Sequence, residues 1–476
     1  DTAFGTSLLK LKNGTFEGSG GARTFDNEIQ LVASTVTIGG SSDITFDGKM
    51  TLTSSRILTV TNTGMTTFGD GGIDLSSTAT NRTLTLDGTG DVTVNGVISN
   101  GPSSTTSNLY KKGSGTLTLN GTNTYGGNTY LYDGVTEISS EANLGANPTS
   151  FTSSRLRFFG GTLNTTADMT IDDANRGINI NTGGGTLDVN SGTTLTINNV
   201  ISGSAGQTLT KTGAGSVILA GDNTFGSDIA ISAGTVILSH DDSLGNATGT
   251  TSVASGATLS LTNNITVTGE ALANSGDLLN AQDDNTYGGV ISGGGNTTVT
   301  GGSLTLSGTN TSTGVTTISG GTLSVGTIGN GGVAGNLGQA TNAADRIVID
   351  GGTLQYTGAT SSTDRRFTLG TSGGTIETSG TGALTLNNTS AITFSGTNTA
   401  RTLTLAGTST ADNSYAGALG DNGTGATSLA KNGTGTWVLS GTSANTNTGA
   451  TVIYDGTLKL AKTAGTNSVA GNLTIG

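Results

Sequence analysis

The same sentence occurs four times in this chain: LYKKGSGTLTLNGTNTYGGNTYLYDGV at Leu109 to Val135, LTKTGAGSVILAGDNTFGSDIAISAGTV at Leu209 to Val236, and looser copies near 299–323 and 429–458. Repeated supersecondary units cannot bury their apolar faces alone, so they stack, and the repeat predicts a solenoid. The copies align through Gly121, Gly221, Gly308 and Gly441, which stand 100, 87 and 133 residues apart. Such uneven spacing predicts that whole coils are added or lost between copies. Connecting phrases recur in order. A hydrophobic knot precedes each copy (Val97-Ile98-Ser99, Val200-Ile201-Ser202, Val290-Ile291-Ser292, Ala418-Leu419-Gly420), and a tail follows the first three (Asn143-Leu144-Gly145, Ser243-Leu244-Gly245, Asn336-Leu337-Gly338).

Composition separates a solenoid from a compact globule. The 476 residues include 81 Gly and 2 Pro, with 4% aromatic and 11% charged side chains, against the roughly 25% charged that soluble domains carry. Disordered chains lack regular apolar alternation, whereas Thr83-Leu84-Thr85-Leu86, Thr116-Leu117-Thr118-Leu119 and Thr402-Leu403-Thr404-Leu405 alternate with period two. That period puts the leucines on the inner face of a strand and the threonines outside. Gly interrupts every window of helical length, so the chain reads as all-β. With roughly 20 residues per coil it would make about 24 coils in a single elongated rod, one continuous β-solenoid over 1–476. There is no cysteine for disulfide or thiol chemistry. A net charge of -13 with scattered basic residues argues against nucleic acid. No apolar run has the length of about 18 residues that a transmembrane helix requires, and the opening DTAFGTSLLKLKNG does not read as a signal peptide, which is therefore expected to be absent or already removed.

The repeated sentence resembles the passenger-associated transport repeats of bacterial autotransporter-type surface proteins. The first copy matches through Leu109, Lys111, Gly113, Gly115, Leu117, Leu119, Gly121, Asn123, Tyr125 and Gly134, and the second through Leu209, Lys211, Gly213, Gly215, Val217, Leu219, Gly221, Asn223, Phe225 and Gly234. The third keeps Gly308 and Asn310 but lacks the lysine and the aromatic; the fourth keeps Leu429, Lys431 and Gly441, carries Trp437, and has a two-residue insertion before Gly449. The resemblance implies a right-handed parallel β-helix on the outside of a bacterium. The family's pore would be a series of amphipathic strands with aromatic girdles, and TNSVAGNLTIG does not read as one, so a removed translocator or a different export route is expected.

Candidate chemistry is sparse. His240, the only histidine, excludes a multi-histidine metal site, and the Asp-Ser-Leu that follows it reads as a turn, by analogy with the other tails. The acidic doublets Asp172-Asp173, Asp241-Asp242 and Asp283-Asp284 bear comparison with the carboxylates of polysaccharide-cleaving β-helices, but adjacent strand residues point to opposite faces, so they read as turn acids. Gly69-Asp70-Gly71-Gly72-Ile73-Asp74 is a single calcium-like nonapeptide, a weak calcium signal because such sites come in tandem. Lys111, Lys211 and Lys431 are expected to place a charge at a strand entrance. Asn123, Asn223, Asn310 and Asn445 are expected to satisfy backbone groups at coil corners.

Open solenoid ends present unpaired strand edges. SLLKLKNGTF, Ser7 to Phe16, reads as the counterpart of RLRFFGGTL, Arg155 to Leu163, which would make the two chain ends complementary. The expectation is head-to-tail stacking of copies through Leu8, Leu9, Leu11 and Phe16 against Leu458, Leu460, Val469, Leu473 and Ile475; a cut from a longer solenoid would give the same pattern. The chain thus reads as a non-enzymatic extracellular structural protein, with adhesion to surface glycans or a neighbouring cell as a further role. A monomeric adhesin passenger, with 326–345 as its receptor loop, and a glycan-active enzyme are the alternatives.

Overall fold

The computed structural model describes residues 4–102 and 104–476. Among these the chain is all-β, with helix limited to the 3-10 turns Glu141–Leu144 and Ala344–Arg346, and strand stacks on strand in parallel. No helix among the described residues is long and apolar enough to cross a membrane. The register advances by as little as 19 residues per coil, Leu278 to Thr297, and by as much as 31, Thr316 to Ile347. The chain therefore makes about 21 turns where a uniform 20-residue coil would give more.

Period-two alternation decides which side chains enter the coil. In Thr116–Leu119 both leucines are buried and both threonines half-exposed. Val94, Leu119, Ile138 and Thr165 stand above one another in successive coils, all buried. In the first coils an inner phenylalanine ladder, Phe25, Phe46 and Phe68, stacks with ring centroids 5.8 and 5.5 Å apart. Each large inward side chain contributes ~2 kcal/mol by leaving water, so a thin core suffices because every coil covers the one before it.

The chain falls into two units, one reaching Val236 and including Asp242–Gly249, the other formed by Ile237–Asp241 and Thr250–Gly476. Away from the repeat copies each coil visits three sheets in turn. In the first unit these begin with Leu9–Leu11, Thr15–Gly18 and Arg23–Phe25. The first sheet ends at Ile98–Ser99, and after the first repeat copy its place in the coil order is taken by Met169–Ile171, Thr194–Ile197 and Ser216–Leu219. In the second unit, the strands Thr250–Val253, Ala271–Asn274 and Ile291–Ser292 end at the third copy, and Ser361–Thr363 and its successors take their place.

The spacing of the copies follows from these breaks. From Leu117 the register climbs through Thr136, Leu163 and Leu187 to Lys211, and Val217 of the second copy lies one sheet further along. From Leu304 it climbs through Leu323, Leu354, Ile376 and Leu405 to Lys431, and Trp437 of the fourth copy again lies one sheet on. The expectation of whole-coil insertions is thus corrected: within each unit the two copies are separated by whole coils plus one face.

Candidate functional site

Each repeat copy is a joint that replaces the strand ladder on one face. In the first three copies the knot forms the last strand before the gap. In the first copy Asn123 Oδ1 accepts from Ile98 N–H at 2.8 Å, and Nδ2 donates to the Asn143 carbonyl at 2.6 Å. One side-chain amide therefore joins the coil before, its own coil and the coil after. Asn223 does the same between Ile201 and Ser243, Asn310 between Ile291 and Asn336, and Asn445 between Leu419 and Ser468. The tail answers: Asn143 Nδ2 donates to Gly121 O, Asn336 Nδ2 to Gly308 O, and Ser243 Oγ to Leu219 O.

The lysines sit elsewhere than expected. Lys111, Lys211 and Lys431 are the inward-facing residues of strands Asn108–Lys111, Thr208–Thr212 and Thr427–Lys431, all buried. Each ammonium donates to three carbonyls: Lys111 to Lys112, Gly113 and Asp133 (2.9, 2.6 and 3.2 Å), Lys211 to Thr212, Gly213 and Ala233, and Lys431 to Asn432, Gly433 and Asp455. They are internal plugs that satisfy converging turn carbonyls, not charges at a strand entrance. Burial pushes Lys111 and Lys211 down to about 8, against the pull of Asp133 and Asp87 on the first and Asp188 on the second; Lys431 is lowered for the same reason. The plug also explains the closing glycine of the pattern. A Cβ on Gly134, whose φ is +63°, would lie 2.5 Å from Gly113 O and 2.7 Å from Lys111 Nζ. In the third copy, where the turn Thr300-Gly301-Gly302 is one residue shorter, buried Val299 takes the lysine's place.

The remaining repeat positions, Leu109, Leu117, Leu119, Tyr125, Leu209, Phe225 and Leu429, are buried core, and Trp437 occupies the place of Leu117 with its Nε1 donating to Ala406 O. Gly113 and Gly441 adopt positive φ; a side chain on Gly121, Gly221 or Gly308 would meet the carbonyl of the coil beneath at 2.1–2.3 Å.

His240 lies on a bend and Asp241–Leu244 on a turn. Asp173 Oδ1 accepts from Asn175 N–H, Asp283 Oδ2 from Asn263 N–H, and Asp241 Oδ1 from Thr266 N–H, each a turn carboxylate. In the nonapeptide-like segment, Asp74 is paired with Lys49 at 3.4 Å and accepts from Ser99 Oγ at 2.6 Å. The strand Leu9–Leu11 pairs with Ile29–Leu31, and Leu473–Ile475 with Thr451–Ile453. Leu9–Leu11 belongs to the sheet one face before the one that holds Thr152–Phe158. Leu8, Leu460, Leu473 and Ile475 are exposed, while Leu9, Leu11, Phe16, Leu458 and Val469 are half-buried. The segment 326–345 is held by Arg365 of the next coil, which donates to the carbonyls of Gly329, Val333, Gly338 and Ala340.

Two features were not anticipated from the sequence. Buried arginines, Arg155, Arg176, Arg365 and Arg401, bind carbonyls at coil corners. On the outside of the first copy four aromatic rings cluster. Tyr110 and Tyr130 are register partners with centroids 4.1 Å apart, and Tyr132 and Phe159 stack at 4.7 Å and 16°. Arg157 lies over Tyr130 and Phe159 at 5.1 and 5.2 Å, and Lys112 over Tyr132 at 4.7 Å. Beside the rings opens a groove of about 690 Å³ whose lining includes Asn100, Asn108, Asn128, Asn147, Tyr130 and Arg155 and, among the described residues, no carboxylate.

A model of the passenger-associated-transport-repeat family matches residues 109–138, 209–238, 301–325 and 429–460. The chain is also similar to the protein named Adhesin BmaC autotransporter of Brucella suis biovar 1 (strain 1330), at 35% identity over 294 residues. That alignment takes in 58% of this chain and 8% of the relative, so the chain spans a small part of the relative's length.

Proposed function

We propose that this chain, an autotransporter passenger-type β-helix, serves outside the bacterial cell as a non-enzymatic adhesive segment of a surface protein. The observation that carries this reading is the similarity to an autotransporter adhesin over more than half of the chain, in a fold that carries four passenger repeats. The physical division of side chains supports it. Alternation commits the inward residues to the stack, and the joints use asparagine, lysine and arginine for backbone satisfaction, so contact with a partner falls to the outward residues and the loops. A net charge of -13 favours solubility and discourages non-specific clustering of such chains.

The test is display of residues 1–476 on a non-adherent bacterial strain, with adherence to cultured host cells and to neighbouring bacteria counted against an empty display scaffold. Adherence above the scaffold is the expected result. Background adherence, or turnover of a polysaccharide by the purified chain, would overturn the reading.

A further inference from the structure

We propose that the outward face of the first repeat copy, Tyr110, Tyr130, Tyr132 and Phe159 together with the adjoining asparagine-lined groove, is a carbohydrate-binding site. The inference deepens the adhesive reading and rests on it, naming the partner class as a glycan chain.

The molecule contains its own control. The register partners Lys111 and Leu131, Lys211 and Ile231, Val299 and Ile318, and Lys431 and Ile453 align the four copies residue by residue. The three outward positions that read Tyr110, Tyr130, Tyr132 in the first copy read Thr210, Ala230, Ser232 in the second, Thr298, Thr317, Ser319 in the third and Ala430, Val452, Tyr454 in the fourth. Three copies build the same joint without the aromatic cluster, so the fold does not require it. Aromatics make up only 4% of the chain, yet four of them meet here, half-exposed, in register across neighbouring coils.

The chemistry selects the ligand class. Sugar rings present apolar C–H faces that lie flat on aromatic rings and a polar rim that needs donors and acceptors, the combination of an apolar body and placed polar groups that small-ligand sites offer. Tyr130 and Tyr132 lie within 8° of parallel with centroids 6.2 Å apart. Tyr130 also belongs to the wall of the groove, which joins the stacking surface to the polar one. Within the groove wall, Asn108 Oδ1 accepts from Asn128 N–H and Asn147 Oδ1 from Arg176, which directs the remaining NH2 donors of both amides to other partners. The groove volume of about 690 Å³ falls in the ~300–1,000 Å³ range of small-ligand sites. With Lys112 and Arg157 over the rings and, among the described residues, no carboxylate in the groove lining, acidic and neutral glycans belong to one proposal.

The test uses the purified full chain on an immobilised glycan array, followed by calorimetry with the best binders. Tyr110→Thr/Tyr130→Ala/Tyr132→Ser, which installs the second copy's residues, is expected to melt like the parent and to lower glycan affinity about tenfold or more. Phe159→Thr gives an independent reading should the triple variant fail to fold. Tyr130→Phe/Tyr132→Phe, which keeps the rings, should retain binding. Binding to no glycan, binding unchanged in the folded triple or Phe159→Thr variant, or binding only to protein-coated or lipid-vesicle controls would overturn the assignment. Adherence of displayed chains is scored separately: adherent cells with no glycan bound sink the site and leave the adhesive reading standing, whereas Tyr-dependent glycan binding without adherence supports the site and sinks that reading.

Discussion

Asn123 shows how much of this fold rests on single amides. Its Oδ1 and Nδ2 serve backbone groups in coils on either side, and removing a partner leaves a buried donor and a buried acceptor unpaired at ~1–3 kcal/mol each. Asn123→Ala is therefore expected to lower the urea midpoint markedly, by a loss of about 2–6 kcal/mol, whereas Asn128→Ala on the outer face should leave it nearly unchanged. Lys111 and Lys211 lead to a prediction about pH. Their folded values, about 8, lie below the ordinary 10.5, so between those limits the unfolded chain holds more protons and these two groups make stability rise with pH. Below about pH 8 both states are protonated and the contribution to the slope vanishes. Denaturation midpoints at pH 7.5 and 10 should show a rise in the parent that shrinks in Lys111→Met/Lys211→Met; equal slopes would exclude buried plugs. The inward direction was legible, since Leu109 and Lys111 share strand parity, as do Leu209 and Lys211. What the sequence lacked was the trio of carbonyls that makes an inward ammonium tolerable, because one of the three comes from the next coil.

At the scale of elements, strands and joints were readable and their neighbours were not. Alternation identified Thr116–Leu119 and its relatives, and the asparagine positions marked the corners. The buried arginines escaped although Arg176, Ile178 and Ile180 share parity, because an arginine at a strand start is compatible with either face until its carbonyl partners are known. The aromatic cluster escaped for a related reason. Tyr110 to Tyr130 is a 20-residue step and Leu131 to Phe158 a 27-residue step, and unequal coils hide which outward residues become neighbours. The segment 326–345, the receptor loop of the monomeric-adhesin alternative, is tied down by Arg365 through four carbonyls and by Asp364, which accepts from Gly331 N–H and Asn342 Nδ2. Arg365→Ala is expected to open this segment to proteolytic nicking while the other coils stay resistant; an unchanged digestion pattern would show that the loop is held by something else.

At the scale of the whole molecule the claim that unites these observations is that the repeats are counted in coils and faces, not in residues. Each copy ends the ladder on one face, and within each unit the next copy does so one face later. Deletions in the first unit separate the two ways of counting. Removing residues 178–200 takes out one coil, the step from Ile178 to Ile201, and leaves Met169 to stack under Val217, because Leu195 pairs with both. Removing residues 190–197 takes out a third as many residues but deletes a single face, the turn and strand Thr194–Ile197, and puts every later side chain out of phase. The thermal melt of the two deletion proteins, followed by far-UV circular dichroism, is the direct measurement. The longer deletion should keep a cooperative β-sheet transition near that of the parent and the shorter one should lose it. A shorter deletion that melts cooperatively at or above the temperature of the longer one would contradict the assignment of repeats to faces.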